Sequence, residues 1–285
     1  MEKGAVPAIL AKQQPAGNWE QAQSFYTAKY RGTVWQLIIL AEHAADPRDP
    51  RVKRACEFIL EHSQHGTGGF SCHTAERTGG GRPSEVIPCL TGNMAWSLQR
   101  LGYGNDPRVR RSIEWLAQHL RFDDGDSHAP AEWPYTNYEM CYGKHSCFMG
   151  VVKGLKALSE VPETARSKEV KRCIENAVEF MLKHHVYKRS HDPERTAKPG
   201  WKKFGFPRMW QTDILEVLLI LTGLGIRDSR MQEAVDLVIS KQDEDGRWRH
   251  QDPFNYRFQA KIEANGKPSK WITLNAMTVL KNYCR

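Results

Sequence analysis

The sequence contains no stretch of about eighteen consecutive apolar residues, the minimum for a helix that crosses a bilayer. Its first residues form only a short apolar segment with no small-residue cleavage site behind it, so they do not predict a signal peptide. Cysteine occurs seven times, an odd number, and no export signal accompanies it. These absences predict a cytoplasmic protein with reduced thiols and no disulfide framework.

Positive charge is in excess but is not concentrated in one place. The 285 residues include 41 Lys and Arg against 33 Asp and Glu, a formal net charge of +8. This balance favours anionic partners, for example a phosphorylated small molecule. Because the basic residues are scattered rather than gathered in one run, a nucleic-acid partner is the weaker interpretation.

A helical pattern recurs every 57 to 61 residues and predicts a repeat protein. Each copy opens on Asp or Ser, whose side chain can accept a hydrogen bond from the free N–H groups of a helix start. Pro50 and Pro107 then stand at the first helical position, where no N–H is required. Apolar residues follow at helical spacing on one side, which is typical of outer helices. These segments begin at Asp49, Asp106, Ser167 and Asp228.

A second type of helix separates these copies. The intervening segments are apolar on most sides and rich in Gly, Ala and Thr, which indicates helices buried between others. Loops of roughly twenty residues join outer to inner helices, whereas short turns join inner to outer ones. The inner helices begin at Val34, Leu90, Cys147, Met209 and Trp271. We therefore predict an all-α fold, an α/α toroid (barrel) of about five inner and five outer helices that forms a single domain over residues 1–285.

Two predicted outer helices end in the same motif, Q-x3-G-x-W. The first copy runs from Gln13 to Trp19 and the last from Gln242 to Trp248. The glycine is expected to take a left-handed turn after the helix, and the tryptophan to fold back as an apolar plug. The glutamine can bond exposed helix ends. The segment GTGGF, which ends at Phe70, is a weaker copy.

The motif and the helix rhythm resemble the terpenoid cyclase and protein prenyltransferase superfamily, whose squalene-type cyclases carry this motif between the inner and outer helices of an α/α barrel. The resemblance runs from Val6 to Tyr283. It implies a central cavity for an isoprenoid, which can be a diphosphate, and a prenyltransferase-like or terpene-cyclase-like activity. Because family members usually have more hairpins, it also implies a small, partly open barrel. The sequence has neither the D-x-D-D acid nor the D-D-x-x-D metal motif of terpene cyclases.

Four of the seven cysteines lie in two loops that precede inner helices. Zinc-dependent prenyltransferases of the same superfamily hold zinc with an Asp-x-Cys pair at the start of an inner helix, and His145-Ser-Cys147 stands at a similar position. Zinc prefers thiolate and imidazole ligands. The alternative is that these thiols are small buried side chains without a metal. The candidate zinc ligands are Cys89, Cys141, His145 and Cys147, with Cys72 and His73 in reserve for the fourth position.

Further candidates lie near the starts of the inner helices. Asp213 is the best lone acid, because a carboxyl group in an aromatic-lined cavity would have a raised pKa; the alternative is an ordinary charge at a helix N-terminus. His145 is the second candidate catalytic residue. Aromatic side chains suit an isoprenoid or a carbocation, and basic ones a diphosphate, although core packing and a solvated loop explain them as well. The candidate substrate-binding residues are Tyr142, Phe148, Lys202, Lys203, Arg208, Trp210 and Trp271.

Two functions of different classes follow from these patterns. The first is an enzyme that binds a small apolar or prenyl-type substrate, with zinc or an acid at the rim of the barrel. The second is a non-catalytic barrel with a structural zinc or Cys/His cluster, which binds a partner. The missing D-x-D-D acid and the small helix count favour the second function.

Overall fold

The computed structural model describes residues 3–125, 128–143, 145–251 and 258–284. The predicted helical class is confirmed, with one correction to the all-α prediction: a short antiparallel two-stranded sheet lies in the long loop after α8. The hairpin lets the backbone groups of this loop pair with one another. The helices are α1 (Ala5–Leu10), α2 (Thr33–Glu42), α3 (Pro50–His62), α4 (Pro88–Leu98), α5 (Pro107–His119), α6 (Glu139–Tyr142), α7 (Phe148–Ser159), α8 (Lys168–Lys183), α9 (Ile214–Gly223), α10 (Gln232–Ser240) and α11 (Lys270–Tyr283), and the strands are β1 (Lys188–Arg189) and β2 (Asp192–Thr196).

The chain forms two compact units. The first contains the described residues of Met1–Ile174 and Arg257–Ala260, and the second those of Glu175–Tyr256 and Lys261–Arg285. Helices α1 to α7 belong to the first unit and α9 to α11 to the second. The single domain and the partly open toroid stay predictions. Among the described residues, no helix has the length and apolar character needed to cross a bilayer.

Inner and outer helices alternate within each unit. In the first unit α4 packs against α2 and α7, and every residue of α4 is buried. The outer helix α3 buries only one stripe, which includes Val52, Phe58 and Ile59. In the second unit α9 packs against α11 and α10. The contrast between helices that are apolar all round and helices with one apolar stripe therefore predicted the burial of α3 and α4. It did not predict that of α11, which was expected to be an inner helix but buries one stripe of Ile272, Ala276 and Val279.

Caps set the helix starts, and one of them corrects a predicted boundary. Asp49 accepts a hydrogen bond from the Arg51 N–H at 2.8 Å, as predicted for the start of α3. The fourth inner helix was predicted to begin at Met209, but α9 begins at Ile214. The reason is the Asp213 side chain, which accepts the Glu216 N–H at 2.8 Å and so caps the helix five residues later than the apolar pattern suggests.

The tryptophans of the repeated motif fold back onto their own outer helices. The Trp19 indole N–H donates to the Ile9 carbonyl oxygen at 2.8 Å, and the Trp248 indole N–H donates to that of Val238 at 2.7 Å. Both side chains are fully buried. Gly17 and Gly246 have φ values of 99° and 75°, the left-handed turn that was predicted for them.

The segment that ends at Phe70 is a copy of this motif in which Phe70 replaces the tryptophan. Gln64 heads it, with Gly68 at the turn. The Gln64 side chain donates to the Arg108 carbonyl oxygen at 2.8 Å, as Gln13 donates to that of Arg51. Both acceptors lie at the start of the next outer helix. In these two copies the motif therefore fastens the end of one outer helix to the beginning of the next.

Candidate functional site

Four cysteine side chains come together in the first unit, near the N-terminal ends of two inner helices. Cys89 is the second residue of α4, and Cys147 immediately precedes α7. Cys141 lies in the short helix α6, and Cys72 in the loop between α3 and α4. Since α4 and α7 pack side by side, the starts of these two helices and the loops before them lie close to one another.

The thiols interact with one another and with a tyrosine hydroxyl. Cys141 and Cys147 share a hydrogen bond, and Cys72 shares one with Tyr26. Negative charge on Cys72 or Cys147 would raise the pKa of Cys89, and negative charge on Cys89 or Cys72 would raise that of Cys141, so these thiols lie within electrostatic range of one another. We call Cys72, Cys89, Cys141 and Cys147 the thiol cluster.

The pKa values of Cys72, Cys89 and Cys141 are shifted upwards. Burial raises the pKa of Cys72 to about 12, and the negative charge of Glu85 adds to the effect. Burial and the neighbouring thiols raise the pKa of Cys89. The ammonium of the fully buried Lys153 partly opposes this upward shift. The hydrogen bond with Cys147 raises the pKa of Cys141 most, and burial follows. The raised pKa values keep these thiols protonated, and a protonated thiol is not a nucleophile, so a nucleophilic role is disfavoured here.

A small cavity of about 10 Å³ borders the cluster, which is room for one water molecule. Its walls include Cys141, Cys147, Tyr142, His119 and Arg121. Burial lowers the pKa of His119, so its imidazole is neutral at pH 7. This cavity is too small for a prenyl chain.

The two histidines considered as ligands have other contacts. His145 is exposed, and a Cβ added at Gly125 would lie 2.5 Å from its ring Nδ1, so the imidazole rests against that turn. His73 is paired with Glu85 through its Nδ1. Of the four predicted ligands, the structure therefore brings together Cys89, Cys141 and Cys147, and Cys72 is the fourth thiol near them.

The donor chemistry of the cluster fits a thiophilic metal, but its present geometry is not a formed coordination site. Zinc binds four thiolates readily. In the part of the chain that the structure describes, no three His, Cys, Asp or Glu side chains stand close enough together to hold an ion as they are placed. A zinc ion would supply a fixed positive charge and four metal–sulfur bonds at this position.

The other predicted residues of the first unit line the cluster or its edge. Tyr142 is 2% exposed, and its hydroxyl donates to the Val86 carbonyl oxygen at 3.0 Å. Burial and the nearby thiols raise the pKa of Tyr142. Phe148 is the first residue of α7 and is half-buried.

Asp213 and Arg208 form a buried ion pair in the second unit. The Asp213 carboxylate accepts the Glu216 and Gly205 N–H groups at 2.8 and 3.0 Å and lies 3.5 Å from the Arg208 Nε. Arg208 also donates to the Thr212 carbonyl oxygen at 2.9 Å. Burial raises the pKa of Asp213 despite this guanidinium. The direction is the one predicted for an acid, but the carboxylate serves as the cap of α9.

The remaining substrate-binding candidates of the second unit do not share one environment. Lys202 and Lys203 are exposed, and the Lys202 ammonium lies 5.4 Å from the centroid of the Tyr187 ring. Trp271 stacks on Phe206 with 4.9 Å between ring centroids. Trp210 is half-buried. Their role in binding a substrate stays a prediction.

Sequence reasoning did not single out Tyr26, Lys153 or His119, and it placed Cys72 only in reserve. Lys153 carried a readable signal, since a lysine interrupts the apolar segment CFMGVVKGLKAL of an inner helix. Tyr26 is placed by Trp35, whose indole N–H donates to its carbonyl oxygen at 2.9 Å. That contact depends on the loop conformation and has no sequence signature.

Comparisons with known proteins leave the family open. No family model and no curated protein matches the sequence. Solved structures similar to this chain include the type II terpene cyclase MstE from Scytonema. An apo tyrosine-to-phenylalanine variant of it has 13% identity over 97% of this chain and 94% of that chain, with a TM-score of 0.37. An aspartate-to-asparagine variant in complex with geranylgeranyl dihydroxybenzoate has 13% identity over 98% and 95%, with a TM-score of 0.36. These scores are too low to support an argument about function.

Proposed function

We propose that this chain is a zinc-binding helical-repeat protein, in which the thiol cluster holds one zinc ion and fastens the loops around the starts of α4 and α7. The observation that carries the proposal is the convergence of four thiols from separate segments of the chain. Four protein ligands make a closed site, and closed zinc sites are structural rather than catalytic.

The raised pKa values suit this role. Cys89 and Cys141 resist ionisation because they are removed from solvent and because a second thiolate nearby would repel the first. A divalent cation reverses the penalty, since it attracts every thiolate and the protons leave as it binds. Cys72, Cys89, Cys141 and Cys147 would hold the ion through their sulfur atoms. Zinc affinity is consequently expected to depend steeply on pH.

We expect about one zinc per chain in elemental analysis of the purified protein, and the loss of that zinc when one cluster cysteine is replaced. The ligand variants are Cys72→Ser, Cys89→Ser, Cys141→Ser and Cys147→Ser. The matched controls are Cys56→Ser, Cys173→Ser and Cys284→Ser, which change thiols outside the cluster, together with His145→Ala; all four should keep their zinc.

Acidification provides a second readout on the unmodified chain. Because more than one proton competes with the ion, the apparent zinc affinity should fall by more than about tenfold per pH unit below neutrality. A chelator should lower the thermal unfolding midpoint of the same protein. A chain that binds no zinc, or whose zinc survives all four ligand substitutions, would contradict the proposal.

Isoprenoid binding is the second candidate function. It is favoured by the aromatic side chains at the start of α2, where the Trp35 ring lies 5.3 Å from that of Tyr26 and 5.6 Å from that of Tyr30, and by the resemblance of the repeated motif. The small size of the cavity beside the cluster is why we rank it second. Geranylgeranyl diphosphate should quench tryptophan fluorescence saturably, and Tyr26→Leu, which removes one ring of this aromatic group, should weaken that binding. A flat titration would exclude this function.

A further inference from the structure

Helices α4 and α11 occupy the same place in the helical repeat. The Phe70 N–H donates to the Thr91 side-chain oxygen at 2.9 Å, and the Trp248 N–H donates to that of Thr273 at 3.1 Å. Phe70 and Trp248 end two copies of the same motif. Thr91 and Thr273 are therefore equivalent, and counting from them aligns the two helices residue by residue.

This alignment identifies the side of α11 that corresponds to the side of α4 packed against α7. Gly92 corresponds to Leu274, and Ala95 corresponds to Met277. In α4 this side lies directly on α7, because a Cβ added at Gly92 would be 2.5 Å from the Lys153 carbonyl oxygen. In α11 the same side is open, and Leu274 and Met277 are 56% and 57% exposed.

In the described part of the chain, the turn after α10, the outer helix of the same hairpin, also lacks the neighbouring outer helix that covers the equivalent turns in the earlier repeats. A Cβ added at Gly17 or Gly68 would lie 2.5 or 2.4 Å from a carbonyl oxygen of the next outer helix, Arg54 in α3 or Arg111 in α5. At Gly246 the nearest atom, at 3.4 Å, belongs to Gln242 of the same motif. The hairpin of α10 and α11 thus presents a surface that another hairpin covers in the earlier repeats.

We propose that this hairpin surface, defined by Leu274 and Met277 on α11 and the 48% exposed Ile239 on α10, binds the same surface of a second copy of the chain. Two-fold pairing is the usual form of such self-association. It gives each α11 an inner and an outer helix as neighbours, α11 and α10 of the other copy. In the first unit α4 has the same two kinds of neighbour in α7 and α5.

The exposed charges of the two helices are complementary in this arrangement. Lys270 and Lys281 lie on the same stripe of α11 as the apolar pair, on either side of it. Asp236 is exposed on α10 and Glu244 in the turn after it, where Asp245 is already paired with Arg247 at 3.4 Å. A contact of α11 with α11 alone would oppose lysine to lysine, whereas α11 against α10 of the other copy opposes lysine to carboxylate. The charges therefore favour a second copy that contributes both helices.

Sedimentation of the full chain at rising concentration should reveal a monomer–dimer equilibrium with a dissociation constant in the range of about 1–100 μM. Leu274→Asp and Met277→Asp should each weaken the dimer by about tenfold or more, because each buries a charge in an apolar contact. Both side chains are exposed in the single chain, so its unfolding midpoint should stay unchanged. Met140→Asp is the matched control, since Met140 is 89% exposed in the first unit.

Charge reversal separates the two-helix pairing from other modes of dimerisation. Lys281→Glu should weaken the dimer, and the double variant with Asp236→Lys should recover most of the loss. A chain that stays monomeric up to about 100 μM would overturn the proposal, and so would a dimer that tolerates both apolar substitutions. Failure of the double variant to recover would overturn the pairing of α11 with α10. None of these variants touches the thiol cluster.

Discussion

Gly68→Ala is expected to destabilise the chain by about 3–5 kcal/mol, whereas the equivalent change Gly246→Ala should cost only about 1–2 kcal/mol. Both glycines have a positive φ, 104° and 75°, which an L-residue adopts at a cost. Only Gly68 also touches the next outer helix, where the new methyl group would lie 2.4 Å from the Arg111 carbonyl oxygen. Backbone atoms cannot step aside as the end of a side chain can, so overlap adds to the backbone strain.

Urea unfolding, monitored by far-ultraviolet circular dichroism, measures the free energy of unfolding of both variants. Because the two glycines lie in different compact units, hydrogen exchange should be used to assign each loss to its unit. Gly17→Ala is a second close-packed case and should behave like Gly68→Ala, since its Cβ would meet the Arg54 carbonyl oxygen at 2.5 Å. Equal losses for Gly68→Ala and Gly246→Ala would mean that the contact with the next outer helix contributes nothing.

The helix types were predictable because burial leaves a periodic record in the sequence. Outer helices carry one apolar stripe and a capping residue such as Asp49 or Asp106, and both caps are formed. The start of α9 was not predictable in this way. Met209 is buried in a loop rather than in a helix, and apolar content alone does not distinguish the two. Strands β1 and β2 are polar and short, so they leave no alternating pattern.

The candidate site was predictable in position but not in composition. The repeat places the loops before α4 and α7 at neighbouring helix starts, which explains why Cys89 and Cys147 meet. The choice between His145 and Cys72 depends on loop conformation. Cys72 is held in place by its N–H, which donates to the Glu85 carbonyl oxygen at 3.2 Å, while His145 turns towards Gly125. Neither turn has a signature in the spacing of the residues.

Arg208→Met is expected to destabilise the second unit by about 3–5 kcal/mol at neutral pH, because it leaves the buried Asp213 carboxylate without its cation. Asp213→Asn should cost a similar amount, since the amide oxygen can still cap α9 but the buried guanidinium loses the Asp213 carboxylate. Lys203→Met is the control: it removes an exposed cation from the same loop and should change stability by less than about 0.5 kcal/mol.

The two variants should differ in their dependence on pH. Burial raises the pKa of Asp213 in the folded chain, and loss of Arg208 raises it further. The stability that such a group contributes is fully present below its pKa in the unfolded chain and is lost as the pH rises through the folded value. The deficit of Arg208→Met should therefore shrink when unfolding is measured near pH 4 instead of pH 7. The deficit of Asp213→Asn should not shrink, because this variant has no carboxyl group at position 213 to take up a proton. Equal deficits of Arg208→Met at both pH values would mean that the Asp213 carboxylate remains ionised without its partner.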